Sequence, residues 1–180
     1  TSLASYMARV NYTYADKYML TASVRSDGAS QLSDGHKWAS FPSVALGWRI
    51  DQEKFMQKAD FISNLKLRLG YGISGNYAVS AYATQGAVQS NYYAWGSMDP
   101  TVGYLPSDAS AKNPNKMANL DLGWEKTKQW NLGLDFGFIN NRISGSVDYY
   151  HNKTTDLILA TTIPSLTGYT STYANVGETS

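Results

Sequence analysis

The stretch Leu65-Lys66-Leu67-Arg68-Leu69-Gly70-Tyr71-Gly72-Ile73 carries the clearest pattern in the chain. Every second residue from Leu65 onward is large and apolar, and the residues between are basic or glycine. Successive side chains of a β-strand point to opposite faces, so this period of two predicts a strand with one apolar and one polar face. A soluble sandwich and a membrane barrel both use such strands, and the pattern alone does not choose between them.

The same period of two recurs on both sides of this stretch, whereas a period of 3.6 is almost absent. Before it lies a hairpin with a short turn at Ala15-Asp16-Lys17, followed by a third strand. After it comes a second hairpin, turned at Asn140-Asn141, where asparagine tolerates a positive φ. Strands are predicted over 8–14, 18–25, 41–50, 65–73, 129–138 and 143–150.

The connections between these strands are, in order, short, long, medium, very long, short and long. The short ones are the two hairpin turns, and the medium one is a helix of about two turns predicted at 51–58. The long ones are predicted as loops at 27–40, at 74–122 and beyond Thr154. Short turns on one side and long loops on the other are typical of outer-membrane barrels. We therefore predict an all-β fold: an antiparallel transmembrane β-barrel segment of about six to seven strands, with short periplasmic turns and long extracellular loops.

Aromatic residues cluster beside the short turns, and by parity they fall on the apolar face. Tyr and Trp are enriched where a membrane meets water, so these positions predict a lipid-facing aromatic girdle on the periplasmic side. Its members are Tyr12, Tyr14, Tyr18, Trp48, Phe136 and Phe138.

The composition agrees with a barrel and excludes several other classes. Aromatic residues make up 13% of the 180 residues, with 14 Tyr, and charged residues only 16%. The formal net charge is +1 and no basic run is present, which argues against a nucleic-acid binder. Without cysteine there is no disulfide framework and no Cys-based metal site. No apolar run reaches the length of about 20 residues that a transmembrane helix needs.

No motif of enzyme chemistry is present. The sequence contains no zinc-protease motif, no nucleophile-elbow motif, no dinucleotide-binding motif and no phosphate-binding loop. His36 and His151 have no other metal-binding or catalytic residue at a motif spacing. Asp99 and Asp108 could be paired as catalytic carboxylates, but solvated acids are the ordinary expectation in a polar loop. We therefore expect no enzymatic activity, no cofactor and no metal.

Two sets of residues are candidates for binding. The long loop holds an aromatic cluster whose rings could stack on sugars or anchor a partner, or could simply pack the loop on itself. The polar face of the strands holds charges that could line a lumen and meet substrate, or could pair with one another. The loop cluster is Tyr82, Tyr92, Tyr93, Trp95 and Tyr104, and the polar-face set is Arg25, Arg49, Lys66, Arg68 and Asp135.

Several segments, in order along nearly the whole chain, resemble the SusC/RagA-type TonB-linked receptors of Bacteroidetes-type bacteria. They include a hairpin, two strand segments, a leucine followed after a short gap by Trp-Glu-Lys-Thr, and a later loop with the start of a strand. These segments are 11–18 with 20–28, 41–50, 65–72 with 74–76, 119–120 with 124–127, 164–165, 167–168 and 175–178.

The resemblance implies a location in the outer membrane and energy-coupled import of large nutrients, usually oligosaccharides and sometimes peptides. It also implies three partners besides the glycan or peptide: a TonB complex acting through a missing N-terminal part, a SusD-like surface lipoprotein, and outer-membrane lipid. Residues 1–180 are then part of one receptor β-barrel domain. No plug, TonB box, carboxypeptidase-like extension or signal peptide is recognised, so we expect a stretch from the later half of a larger barrel.

Two alternatives remain open from the sequence. A secreted, soluble β-sandwich that binds carbohydrate would show the same alternation and aromatic loops. It predicts that Leu65, Leu67 and Leu69 face a protein core. A barrel that does not transport, such as an adhesin or an enzyme barrel, is disfavoured by the resemblance.

Overall fold

The computed structural model describes residues 2–56, 58, 61–80, 84, 87–94, 100–107, 116–164, 166 and 168–180, with 87–94, 100–107 and 116 described for their backbone only. The strands are β1 (Leu3–Tyr14), β2 (Tyr18–Ala29), β3 (Trp38–Arg49), β4 (Ile62–Asn76), β5 (Ala87–Ala94), β6 (Pro100–Ser107), β7 (Lys116–Met117), β8 (Glu125–Phe138), β9 (Ile143–Thr155), β10 (Ile158–Thr162), β11 (Ser171–Asn175) and β12 (Glu178–Thr179).

The main element is a seven-stranded sheet in the order β1-β2-β3-β4-β8-β9-β12. Every neighbouring pair in it is antiparallel. The sheet is open, with β1 at one edge and β12 at the other. The predicted all-β, antiparallel architecture and the predicted strands are confirmed. The strands are longer than predicted, because β2 continues to Ala29 and β3 already begins at Trp38.

The predicted two-turn helix at 51–58 is wrong. The structure has a single 3₁₀ turn, Ile50–Gln52, followed by a turn in which the Met56 N–H donates to the Glu53 carbonyl at 3.0 Å. A helix this short gains few hydrogen bonds for the cost of its nucleation. The side chains of Asp51 and Glu53 bond instead to residues of neighbouring strands.

The prediction that 74–122 is a loop without strands is also wrong. β4 extends to Asn76, β5 and β6 pair as an antiparallel hairpin, and β7 follows. The loop predicted beyond Thr154 likewise holds the β10–β11 hairpin, and β7 joins β11 in parallel. These strands pair mainly within the two long connections, so they carry no apolar stripe like that of the main sheet and leave no period of two in the sequence.

Successive connections lie at opposite ends of the main sheet, as predicted, but the predicted long loop at 27–40 is only eight residues, 30–37, and is shorter than the 50–61 connection. The connections at one end of the main sheet are 15–17, 50–61 and 139–142. Those at the other end are 30–37, 77–124 and 156–177. We call these the short-turn end and the long-connection end. No helix among the described residues is long and apolar enough to cross a membrane.

The strand register divides the sheet into one apolar and one polar face. One row across the strands reads Tyr12, Leu20, Leu46, Leu69, Leu132 and Tyr149. The next row, on the opposite face, reads Asn11, Thr21, Ala45, Gly70, Asn131 and Tyr150. No layer among the described residues covers the apolar face, and Tyr12 and Leu69 remain 57% and 45% exposed.

The buried core lies at the long-connection end. Trp124 packs edge-on against Phe41 and Tyr77, with ring centroids 5.3 and 5.1 Å apart, and its indole N–H donates to the Lys37 carbonyl at 3.1 Å. The buried apolar members are Ala29, Leu32, Phe41, Val79, Leu122 and Trp124. Packing of the usual interior kind is therefore found at one end of the sheet, and the middle is held by its hydrogen-bond ladder.

The β1–β2 turn is a type I′ turn. Ala15 and Asp16 have φ values of 52° and 54°, and the Lys17 N–H donates to the Tyr14 carbonyl at 3.0 Å. This turn follows the right-handed twist of the two strands, but it places an alanine in the left-handed region that favours glycine or asparagine.

We predict that Ala15→Gly stabilises the complete protein by roughly 0.5–1 kcal/mol, because it removes the strain of the left-handed alanine. The measurement is the midpoint of unfolding in detergent. Ala8→Gly, in the middle of β1, is the matched control and lowers the midpoint, since glycine weakens a strand interior. Equal effects of the two substitutions would contradict the assignment of the turn.

Candidate functional site

The predicted girdle residues lie at the short-turn end of the apolar face, in two groups. Tyr18 stacks between Tyr14 and Trp48, with centroids 6.5 and 6.4 Å away. Phe138 contacts Phe136 at 5.6 Å and also stacks on Phe61 at 6.2 Å, a residue that the sequence analysis did not include. Tyr12 is exposed on the same face as Tyr14, two residues earlier in β1. That these rings meet lipid stays a prediction.

Glu53, in the connection after β3, ties part of this girdle to the short-turn end. It accepts hydrogen bonds from the Tyr18 hydroxyl at 2.6 Å and the Trp48 indole N–H at 3.3 Å. The Lys17 ammonium lies 3.4 Å away. The hydrogen bond from Tyr18, then that from Trp48, lowers the pKa of the Glu53 carboxyl. The rings thus present an apolar body to the sheet face and a polar atom to the connection, as aromatic residues at an interface do.

A second aromatic band on the same face lies toward the long-connection end. Tyr6 and Trp38 stack with centroids 5.9 Å apart and planes 17° apart. Gly28 leaves room for this pair, since a Cβ there would lie 2.6 Å from the Trp38 ring. Tyr71 and Trp130 form a further pair at 4.5 Å. The sequence analysis missed this outer band, although extending the alternation of β1 and β3 would have found Tyr6 and Trp38.

The polar face is crossed by a charge network centred on Arg68. Its guanidinium donates to both carboxylate oxygens of Asp135, at 2.9 and 2.8 Å, and to Asp148 on β9 at 3.0 Å. Gly133 lies between Arg68 and Asp148 in the register. A Cβ there would lie 2.6 Å from Asp148 Oδ1 and 2.8 Å from Arg68 Cζ. The arginine therefore reaches across a whole strand only because residue 133 is glycine.

Two other members of the predicted polar-face set are also paired. Arg25 bonds Asp27 at 2.7 Å, and Arg49 bonds Asp51 at 2.9 Å. Lys66 makes no ion pair within the described ranges. Pairing within the protein, one of the two interpretations drawn from the sequence, thus accounts for most of these charges. Their contact with a plug or a substrate stays a prediction.

The aromatic cluster predicted in the long connection lies largely outside the described residues. This applies to Tyr82 and Trp95 entirely, and to the side chains of Tyr92, Tyr93 and Tyr104. The backbones of Tyr92 and Tyr93 lie in β5, and that of Tyr104 lies in β6. Contact of these rings with a ligand or partner stays a prediction.

The long-connection end also carries two open, partly polar clefts. One, of about 400 Å³, is lined by Ser30, Ser33, Asp34, Lys37 and Thr84, among others. A hydrogen bond from Lys37, followed by its charge, lowers the pKa of Asp34 there. The other, of about 280 Å³, includes His36, Trp38, Asp121, Lys126 and Asp156. No three His, Asp or Glu side chains of the described part of the chain converge as a metal site would require.

Loss of the Glu53 charge should weaken the short-turn end. A carboxyl whose pKa is lower in the folded protein stabilises it above the unfolded pKa of about 4.3, and this contribution disappears as the pH falls through the folded value. We predict that Tyr18→Phe and Glu53→Gln each reduce the loss of stability of the complete protein between pH 5 and pH 3, measured by thermal unfolding. Tyr14→Phe, which removes a hydroxyl from the same stack without touching Glu53, is the control and leaves that loss unchanged.

Gly133→Ala should separate Arg68 from Asp148 and destabilise the complete protein by roughly 1–2 kcal/mol. Gly70→Ala is the matched control on the same face, because a Cβ there meets its nearest neighbour at 3.7 Å and fits. Unfolding midpoints at low and high salt measure the effect. A loss of stability for Gly70→Ala as large as that for Gly133→Ala would sink the explanation.

Comparison with known proteins accounts for this arrangement. The whole chain, residues 1–180, matches the family model described as TonB dependent receptor-like, beta-barrel. It is 41% identical over 171 residues to the TonB-dependent receptor SusC of Bacteroides thetaiotaomicron, covering 93% of this chain and 16% of that protein. It is also 41% identical over 179 residues to the TonB-dependent receptor P26 of Formosa agariphila, covering 98% and 17%.

Solved structures agree. The chain superposes on a chain of the RagAB peptide importer in the closed-closed state with a TM-score of 0.81 and 34% identity, covering 98% of this chain and 18% of that one. The chain thus spans less than a fifth of the length of each of these relatives. The predicted resemblance to SusC/RagA-type receptors is confirmed. The chain belongs to the β-barrel family of TonB-dependent receptors.

Proposed function

We propose that this chain is a stretch of barrel wall with its external connections, in a TonB-dependent receptor that imports large nutrients across the bacterial outer membrane. The observation that carries the proposal is the uncovered apolar face bounded by an aromatic band toward each end. Two of its relatives are TonB-dependent receptors, and a structure that it resembles is that of a peptide importer. We propose that this chain too serves transport and has no enzymatic role.

The spacing of the two bands supports a membrane crossing. Trp48 and Trp38 lie on one face of β3 about ten residues apart. At about 3.3 Å per residue and a tilt of about 40°, that stretch of strand spans about 25 Å along the membrane normal. This is the height of the apolar band of outer-membrane barrels, about 25 Å. On this basis the apolar face meets lipid and the polar face lines the lumen.

We propose that residues 1–180 are part of one barrel domain. The main sheet is open at both edges, and an edge strand in lipid would leave backbone hydrogen-bonding groups unpaired at a cost of several kcal/mol each. We propose that further strands of the same receptor complete the pairing. Movement would then come from a plug inside the barrel, driven by the inner-membrane TonB complex.

The long-connection end would face outward and meet a SusD-like surface lipoprotein. Exposed leucines at this end support such a contact: Leu166 is 97% exposed and Leu120 73%. Large apolar side chains exposed in connections are a common feature of protein contact sites. The resemblance to a chain of the RagAB peptide importer covers 98% of this chain and so includes these connections.

For the substrate we propose an oligosaccharide, with a peptide as the second candidate. The aromatic cluster of the 77–124 connection suits the apolar faces of sugar rings. The likeness to the RagAB peptide importer favours a peptide. The secreted sandwich, the alternative left open by the sequence, would need a second layer over Leu65, Leu67 and Leu69. The described residues supply none.

The proposal is tested by uptake in cells that carry the complete receptor. Labelled oligosaccharide and peptide pools are offered to wild-type cells and to cells without the receptor. Loss of oligosaccharide uptake alone supports the first substrate class, and loss of peptide uptake alone supports the second. Unchanged uptake of both pools would overturn the transport proposal.

The role of the aromatic cluster is tested in the same assay. The variant Tyr92→Ala/Tyr93→Ala/Trp95→Ala should lower uptake at least about tenfold, since stacking contributes about 1 kcal/mol or more for each ring. Tyr149→Ala, which removes an exposed ring from the apolar face, is the matched control and should leave uptake unchanged. Equal losses in the two variants would mean that the cluster has no particular role in binding.

A further inference from the structure

Three lysines and a histidine interrupt the apolar face at the long-connection end of β8 and β9. Alternation in β8 places Lys126 and Lys128 on the same face as Trp130 and Leu132. In β9, Lys153 and His151 share the face of Tyr149. The register sets Lys128 directly opposite Lys153, and Trp130 opposite His151. We call Lys126, Lys128, His151 and Lys153 the β8–β9 basic cluster.

The basic cluster lies level with the outer aromatic band. Lys128 is about ten residues along β8 from Phe138, the same separation as that between Trp38 and Trp48 on β3. Both stretches span about 25 Å for strands of the usual rise and tilt. If the apolar face meets lipid, these lysines therefore lie at the level of the lipid headgroups on the long-connection side.

The positive charge of the cluster is only partly neutralised. Lys153 bonds Glu178 at 2.9 Å, and Asp121 and Asp156 line the same cleft as Lys126. Within the part of the chain that the structure describes, neither Lys126 nor Lys128 has an ion pair. Like charges directly opposite each other on a sheet are destabilising, so an anion bound beside Lys128 and Lys153 would stabilise this part of the sheet in addition to the Glu178 carboxylate.

We propose that the β8–β9 basic cluster binds the phosphorylated headgroup of an outer-leaflet lipid. The acyl chains of that lipid would lie along the apolar rows directly below, over the Tyr71–Trp130 pair and over Leu69 and Leu132. This inference rests on the proposed membrane setting. Continuity between the cations and the apolar rows favours a lipid over a free phosphate ion, which would gain nothing from those rows.

The experiment uses the complete receptor in detergent and counts bound lipid by native mass spectrometry. Three probes are titrated: monophosphoryl lipid A, the same lipid without its phosphate, and inorganic phosphate as a competitor. Wild-type receptor should bind the phosphorylated lipid at least about tenfold more tightly than the dephosphorylated one. Lys128→Gln/Lys153→Gln should lose that preference.

Arg9→Gln/Lys66→Gln is the matched control, since it removes the same charge from the polar face and should keep the preference. Equal binding of the two lipids by wild-type receptor overturns the inference, and this result needs no variant to fold. An unchanged preference in Lys128→Gln/Lys153→Gln also overturns it, as does full displacement of the lipid by millimolar phosphate. If the receptor shows no preference for the phosphorylated lipid but still imports nutrient, the lipid inference fails and the proposed function stands. If the receptor does not import nutrient, that result contradicts the proposed function and not the lipid inference.

Discussion

The pairing of β4 with β8 is the contact on which the rest of the sheet depends. The other long ladders join strands that follow each other along the chain, whereas this one joins Ile62–Asn76 to Glu125–Phe138 across the long 77–124 connection. It aligns Tyr71 with Trp130 on one face and Arg68 with Gly133 on the other. A slip of one residue would send each side chain of one strand to the opposite face. The Arg68 network and the Leu69–Leu132 row are thus two consequences of one register.

The structure divides its stabilisation between two regions. At the long-connection end, Trp124, Phe41 and Leu122 form a small interior like that of a soluble protein. Along the rest of the sheet, large side chains such as Val10 and Val147 remain exposed on the apolar face. Those side chains gain little from protein packing. In the proposed membrane setting, lipid would provide the hydrophobic contribution that an interior provides elsewhere.

The sequence was informative where one physical requirement acts on a whole strand. A two-faced strand must alternate, so 65–73 and 129–138 could be predicted, and with them the short turns and the aromatic residues beside those turns. β5 and β10 were missed because they pair within the long connections and carry no apolar stripe. Glu53 was missed because its role depends on Tyr18 and Trp48, which only the folded β2–β3 hairpin brings beside it. The predicted helix at 51–58 failed because helical propensity competes poorly with such specific side-chain partners.

The side chain of Asn175 has a consequence for how such proteins diversify. Its amide exchanges two hydrogen bonds with the Gly123 backbone, at 2.8 and 3.1 Å, and donates a third to the Asp156 carbonyl at 2.9 Å. Asn119 likewise donates to the Tyr173 carbonyl at 2.8 Å. The connections 77–124 and 156–177 are therefore fastened together, and β7 even pairs with β11. Recombination that replaced only one of these two connections would remove the hydrogen bonds between them. We therefore expect the two connections to be exchanged together between relatives.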